Sequence, residues 1–145
     1  MKNFWNGLVL GSKSGLVATS TGGIFFATSA SFLTIFHNSS TDIASVFCGL
    51  ILYIALFAVP VGMISGAFVG GIVFSVNVLR STQLIGATIG SFLGIGLVNL
   101  FLITDTSNAD VYNRFLMLFG GIAGGIGGIS GGYYFDLFKG YLFKG

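Results

Sequence analysis

From Phe115 to Phe135 the chain meets no charged residue, and the same is true from Ser14 to Phe36, Ile43 to Leu79 and Leu84 to Ile103. Each stretch reaches the roughly 20 residues with which a helix crosses a hydrocarbon core about 30 Å thick. The pattern predicts an all-α integral membrane protein. Four transmembrane helices, at about 14–36, 43–79, 84–103 and 115–135, form a single domain over residues 1–145.

Composition agrees. Charged residues make up 7% of the chain and hydrophobic ones 54%, with a mean hydropathy of +0.96, whereas a soluble domain carries about 25% charge. The ten charges are Lys2, Lys13, Asp42, Arg80, Asp105, Asp110, Arg114, Asp136, Lys139 and Lys144. The net charge of +2 is too small and scattered for a nucleic-acid surface, which needs clustered Lys and Arg. Cys48, the single cysteine, excludes an internal disulfide and reads as a small buried hydrophobe.

Basic residues orient the bundle. With both termini on the cytoplasmic side, Lys2, Lys13, Arg80, Lys139 and Lys144 lie inside and only Arg114 outside. The expectation is N-in/C-in, with Asp42, Asp105 and Asp110 in two external loops. Lys13 snorkels to the inner headgroups. Trp5, Tyr133, Tyr134 and Tyr141 form an inner aromatic belt, with Tyr112 at the outer interface. A cleavable signal ending near Ala27 to Ser31 is the rival reading of the N-terminus. Lys13 and the polar TSTGG at Thr19 to Gly23 argue instead for a retained first helix. A bacterial-type inner membrane is the default location.

The second stretch is too long for one upright crossing, yet no polar cluster divides it. It reads as one tilted helix kinked at Pro60, with a helix break at Pro60 to Gly62 as the functional alternative.

Residues 120–132, GGIAGGIGGISGG, contain eight glycines in thirteen positions. At 100° per residue these fall within an arc of about 160°, with Ile122, Ile126 and Ile129 opposite; strand alternation produces no such separation. Glycine costs roughly 1 kcal/mol relative to alanine in an aqueous helix. In lipid, leaving the helix costs several kcal/mol per unpaired peptide group, so the segment stays helical. Its bare face then lets another backbone approach closely. Four-residue spacing recurs throughout: Gly15, Thr19 and Gly23 in the first helix; Gly62, Gly66 and Gly70 in the second; Gly86, Gly90 and Gly94 in the third; Gly120, Gly124, Gly128 and Gly132 in the fourth. These glycine-zipper faces are the expected packing surfaces. GMISGAFVGG at Gly62 to Gly71 resembles the stretch at 120–132, which suggests two repeated helical hairpins.

Reactive constellations are scarce. GSKS at Gly11 to Ser14 departs from a phosphate loop, because Ser12 rather than glycine precedes Lys13. One histidine, His37, cannot build a multi-histidine metal or haem site. Asp42, Asp105 and Asp110 read as loop residues in preference to a cation site. No carboxylate pair or nucleophile–base set suggests catalysis, and no ionisable residue lies near a helix middle to suggest proton coupling. No metal, cofactor or enzymatic activity is expected. The first helix does carry seven hydroxyls between Thr19 and Thr34. They serve either as structural glue or, through Thr19, Thr21, Thr28 and Ser31, as a polar path.

Two functions follow as expectations. The first is a non-enzymatic membrane subunit that forms a homo-oligomer, or docks with other membrane proteins in the bilayer, through its small-residue faces. The alternative is a small channel or facilitator for a neutral or weakly polar solute, lined by the hydroxyl-rich first helix.

Overall fold

A computed structural model describes residues 2–37, 42–76, 82–103 and 110–142. Those residues are all helical apart from Asp42: α1 (Lys2–His37), α2 (Ile43–Tyr53), a π-helical turn (Ile54–Ala58), α3 (Val59–Val76), α4 (Thr82–Ile103) and α5 (Asp110–Leu142). Four spans are long and apolar enough to cross a membrane: Phe4–Thr34, Ile43–Ile72, Thr82–Leu100 and Asn113–Gly140. Large apolar side chains face outward on every one of them, among them Leu56, Phe68, Leu84, Phe92 and Leu118. Phe92 is 72% exposed, a position that water would penalise and lipid does not.

The sequence places the four spans correctly and underestimates two of them. α1 begins at Lys2 rather than near residue 14, and α5 runs from Asp110 to Leu142 rather than 115–135. At 1.5 Å per residue each is far longer than a ~30 Å hydrocarbon core. Charge ended the stretches in the sequence, but a helix need not end where its apolar segment does. Residues 77–81 and 104–109, with Arg80 and Asp105, lie outside the described residues.

Asp42 starts α2 as an N-cap. Its backbone is extended and its Oδ1 accepts from the Ala44 N–H at 3.2 Å, satisfying one of the donors that a helix start leaves unpaired. Further on, Pro60 supplies no N–H, and its ring crowds the carbonyl four residues back. The helix responds by widening: Val59 donates to the Ile54 carbonyl, five residues back, and α3 continues through Pro60. The expected kink or break at Pro60 is thus a π-helical turn immediately before it, with no interruption of the helix.

Backbone contacts fix how the helices associate. On α4 and α5, Gly86 meets Gly128, Gly90 meets Gly124 and Gly94 meets Gly120; numbers rise on one helix as they fall on the other, so the pair is antiparallel. α1 and α3 pair the same way, Gly11 on Gly66 and Gly15 on Gly62. A third seam joins these pairs, with Gly22 on Ala123 and Ala18 on Gly127. The helices therefore follow the order α3, α1, α5, α4, and among the described residues no close seam joins α3 to α4.

On Gly62 a Cβ would first meet the Thr19 methyl of α1, and on Gly120 the Val98 side chain of α4, but at most of these glycines it would run into a carbonyl of the facing helix. The hydrogen in its place points at that oxygen, a Cα–H···O contact of about 0.5–1 kcal/mol. Lipid offers no hydrophobic drive for helix association, so such contacts and dispersion carry the packing. No large side chain is fully buried among the described residues.

Candidate functional site: a cleft between two helix pairs

The three glycine seams bring the backbones together and leave a cleft between the α1–α3 pair and the α4–α5 pair. It encloses about 180 Å³. α1 and α5 form its floor and α3 and α4 its walls, with no close seam joining those walls among the described residues. All twelve glycines singled out in the sequence border it: Gly15, Gly23, Gly62, Gly66, Gly70, Gly86, Gly90, Gly94, Gly120, Gly124, Gly128 and Gly132. Glycine has two effects here. It closes the seams, and it leaves the floor of the cleft bare.

Both ends of the cleft along the bundle axis are stopped by apolar packing. At one end Ala27, Ala30, Leu50, Ile54, Ala58, Val98 and Leu116 form a buried cluster that joins α1, α2, the π turn, α4 and α5. At the other, Leu10 and Phe135 are buried together, with Val69 of α3 and Tyr134 packed against them. Between these plugs the lining contains no charged side chain.

Its polar groups are engaged. Ser14 Oγ donates to the Gly131 carbonyl at 2.6 Å and Thr82 Oγ1 to Gly132 at 3.3 Å. Ser65 Oγ and Thr19 Oγ1 bond back to Gly62 and Gly15 on their own helices. Tyr53 reaches from α2 to α4, its hydroxyl donating to the Leu97 carbonyl at 3.2 Å beside the first plug.

The four hydroxyls considered as a polar path do not share a face. Thr19 lines the cleft. Thr21 and Thr28 are exposed on the outside of α1 and bond to the Val17 and Ile24 carbonyls. Ser31 is 4% exposed, away from the cleft lining, and its Oγ has no partner. Seven positions separate Thr21 from Thr28, nearly two full turns, which explains their common outward face.

Cys48, read as buried, is exposed. In lipid an apolar thiol can face outward without cost, so the usual inside-out logic fails. The His37 and Asp110 side chains lie outside the description, and no metal-holding group of His, Cys, Asp or Glu occurs among the described residues.

Sequence reasoning missed the α1–α5 seam. Its signal was present as a second small-residue stripe, Ser14, Ala18 and Gly22 facing Ala123, Gly127 and Gly131, one position off the glycine stripe. The Tyr53–Leu97 bridge had no sequence signal, because a backbone acceptor is available at every residue. A broader hollow of about 440 Å³ beside Val17, Gln83 and Tyr133 is an open depression on the outer surface. Comparison with family models, curated proteins and solved structures finds no match.

Proposed function

We propose that the chain is a non-enzymatic integral membrane subunit whose working surface is the lateral cleft, where it takes an apolar occupant directly from the bilayer. One observation carries this reading: apolar clusters pack at both ends of the cleft along the bundle axis, whereas no close seam joins its α3 and α4 walls among the described residues. A conduit needs the reverse, open ends and closed walls. The engaged hydroxyls and the absence of charge in the lining favour the same occupant.

The small-residue faces are occupied within the chain, which bears on self-association. Docking with another copy or another membrane protein then falls to the outward surfaces, where Gly49 on α2 and Gly96 on α4 meet nothing within 4 Å. The two antiparallel pairs are what a duplicated hairpin would leave. An N-in/C-in arrangement suits four crossings with alternating direction, and sets Lys13 and Lys139 on the inner side.

The competing reading is a facilitator for a neutral solute, and labelling separates the two. In a Cys48→Ser background, Leu93→Cys places a thiol on the cleft wall. It is expected to react with an apolar maleimide and to resist a charged thiosulfonate, while reconstituted liposomes show solute flux at the protein-free rate. Rapid labelling by the charged reagent, or saturable flux, would favour the facilitator.

A further inference from the structure

α4 stands at one end of the row α3, α1, α5, α4, so the face it turns away from α5 is open to the bilayer. Thr88, Phe92, Ile95, Gly96, Asn99 and Leu100 lie on that face, and none of them lines the cleft. Asn99 sits one helical turn before Ile103, where the charge-free stretch ends, which puts its carboxamide within the hydrocarbon.

A carboxamide carries two N–H donors and a carbonyl acceptor. One N–H of Asn99 donates to the Ile95 carbonyl at 3.0 Å, its one hydrogen bond among the described residues. Hydroxyls that face outward elsewhere have no surplus: Thr21, Thr28, Thr88 and Ser130 each place their single proton on a carbonyl of their own helix. Asn99 cannot be satisfied in that way, because a second N–H and Oδ1 remain. Lipid tails offer neither a partner, and an unpaired polar group in hydrocarbon costs free energy that a neighbouring helix recovers.

The chemistry of the surplus identifies the neighbour. Copies of one chain cross the membrane in one orientation, so two α4 helices meet in parallel about a two-fold axis along the membrane normal. Each residue near that axis faces its own counterpart. A carboxamide suits this geometry because it is complementary to itself, each spare N–H donating to the Oδ1 opposite. One turn away, a Cβ on Gly96 would have nothing within 4 Å, so the two backbones can approach closely beside those bonds. Gly49 on α2 is equally bare, but no carboxamide accompanies it.

We infer that this face of α4 is a contact between two copies of the chain, centred on Gly96 and closed by a reciprocal hydrogen-bonded pair of Asn99 side chains. The contact is independent of what occupies the cleft.

Disulfide crosslinking in liposomes tests this. In a Cys48→Ser background the full chain carries one cysteine, either Ile95→Cys or, on the outward face of α1, Thr28→Cys. After oxidation in a large excess of lipid, Ile95→Cys is expected to form dimers and Thr28→Cys to remain monomeric. Energy transfer between copies labelled at the exposed Cys48, titrated with lipid, then gives the dissociation constant. Asn99→Leu should weaken association about threefold to thirtyfold, and Asn99→Gln, which keeps the carboxamide, should recover most of that loss. Gly96→Leu fills the bare position and should abolish transfer. These positions lie outside the glycine seams, so the helical fold in dilute micelles, where copies are apart, is expected to be unchanged. Equal crosslinking at both positions would leave the face to lipid. A crosslink from Ile95→Cys only to other proteins of the native membrane would give it to a different partner. An unchanged constant in Asn99→Leu would remove the carboxamide pair. Each of these results overturns the inference.

Discussion

Alanine at Gly124 should weaken this bundle, whereas alanine at Gly96, on the facing helix, should not. The two glycines lie in helices of the same antiparallel pair, but their surroundings differ. A Cβ on Gly124 collides with the Gly90 carbonyl oxygen and stands 2.6 Å from its carbon and 3.2 Å from Gly94 Cα; a Cβ on Gly96 meets nothing within 4 Å. Restoring ordinary contact requires α4 and α5 to separate by more than about 1 Å, a gap that forfeits at least a quarter to a half of each dispersion contact along the seam. Overpacking of this kind costs about 1–3 kcal/mol. Against it stands a helix-propensity gain of up to about 1 kcal/mol, measured in water. Repulsion wins at Gly124, with a net loss of about 1–2 kcal/mol, and propensity is unopposed at Gly96, with a change between zero and a gain of about 1 kcal/mol. The difference between the two variants is then about 2 kcal/mol, or roughly thirtyfold in the unfolding constant. Reversible unfolding in dodecyl maltoside micelles titrated with sodium dodecyl sulfate measures it. If Gly124→Ala proves as stable as Gly96→Ala, the close seam between α4 and α5 is wrong.

Two serines should respond in opposite directions in the same assay. Ser14→Ala removes a donor to the Gly131 carbonyl and should cost about 1 kcal/mol, whereas Ser31→Ala removes a buried hydroxyl that has no partner and should be neutral or stabilising by up to about 1 kcal/mol. Tyr53→Phe breaks the bridge to the Leu97 carbonyl, with an expected loss of about 0.6–1 kcal/mol. Pro60→Ala restores an N–H and lets the π turn relax to an α-turn, which rotates α2 by about 100° relative to α3 and carries Tyr53 away from α4. The Tyr53→Phe loss should therefore vanish in the Pro60→Ala background; additive effects in that double-mutant cycle would mean that packing, not proline, holds the π turn.

Much of this arrangement was legible before any coordinates. Charge-free stretches located four crossings because lipid excludes charge regardless of tertiary context. The helical state of the glycine-rich segment followed from spacing that matches the helical period. The same reasoning failed where its premise was aqueous, as at Cys48, or where apolarity stood in for helix length, as at both ends of α5. It also treated the hydroxyls of α1 as one group, although Thr19 faces the cleft and Thr21 and Thr28 face outward.

By itself, then, the sequence determined the number of helices long and apolar enough to cross a membrane and the helical state of a glycine-rich segment. It did not determine which faces meet. A seam of glycines against carbonyls has almost no side-chain shape to recognise, so any bare stripe fits any other. Pairing and register were decided only in the tertiary structure, by directional groups such as the Ser14 hydroxyl on Gly131 and Thr82 on Gly132, and by larger side chains such as Ile54, which packs against Gly23. The cleft is a product of that choice, because it exists only where two closed seams stand side by side.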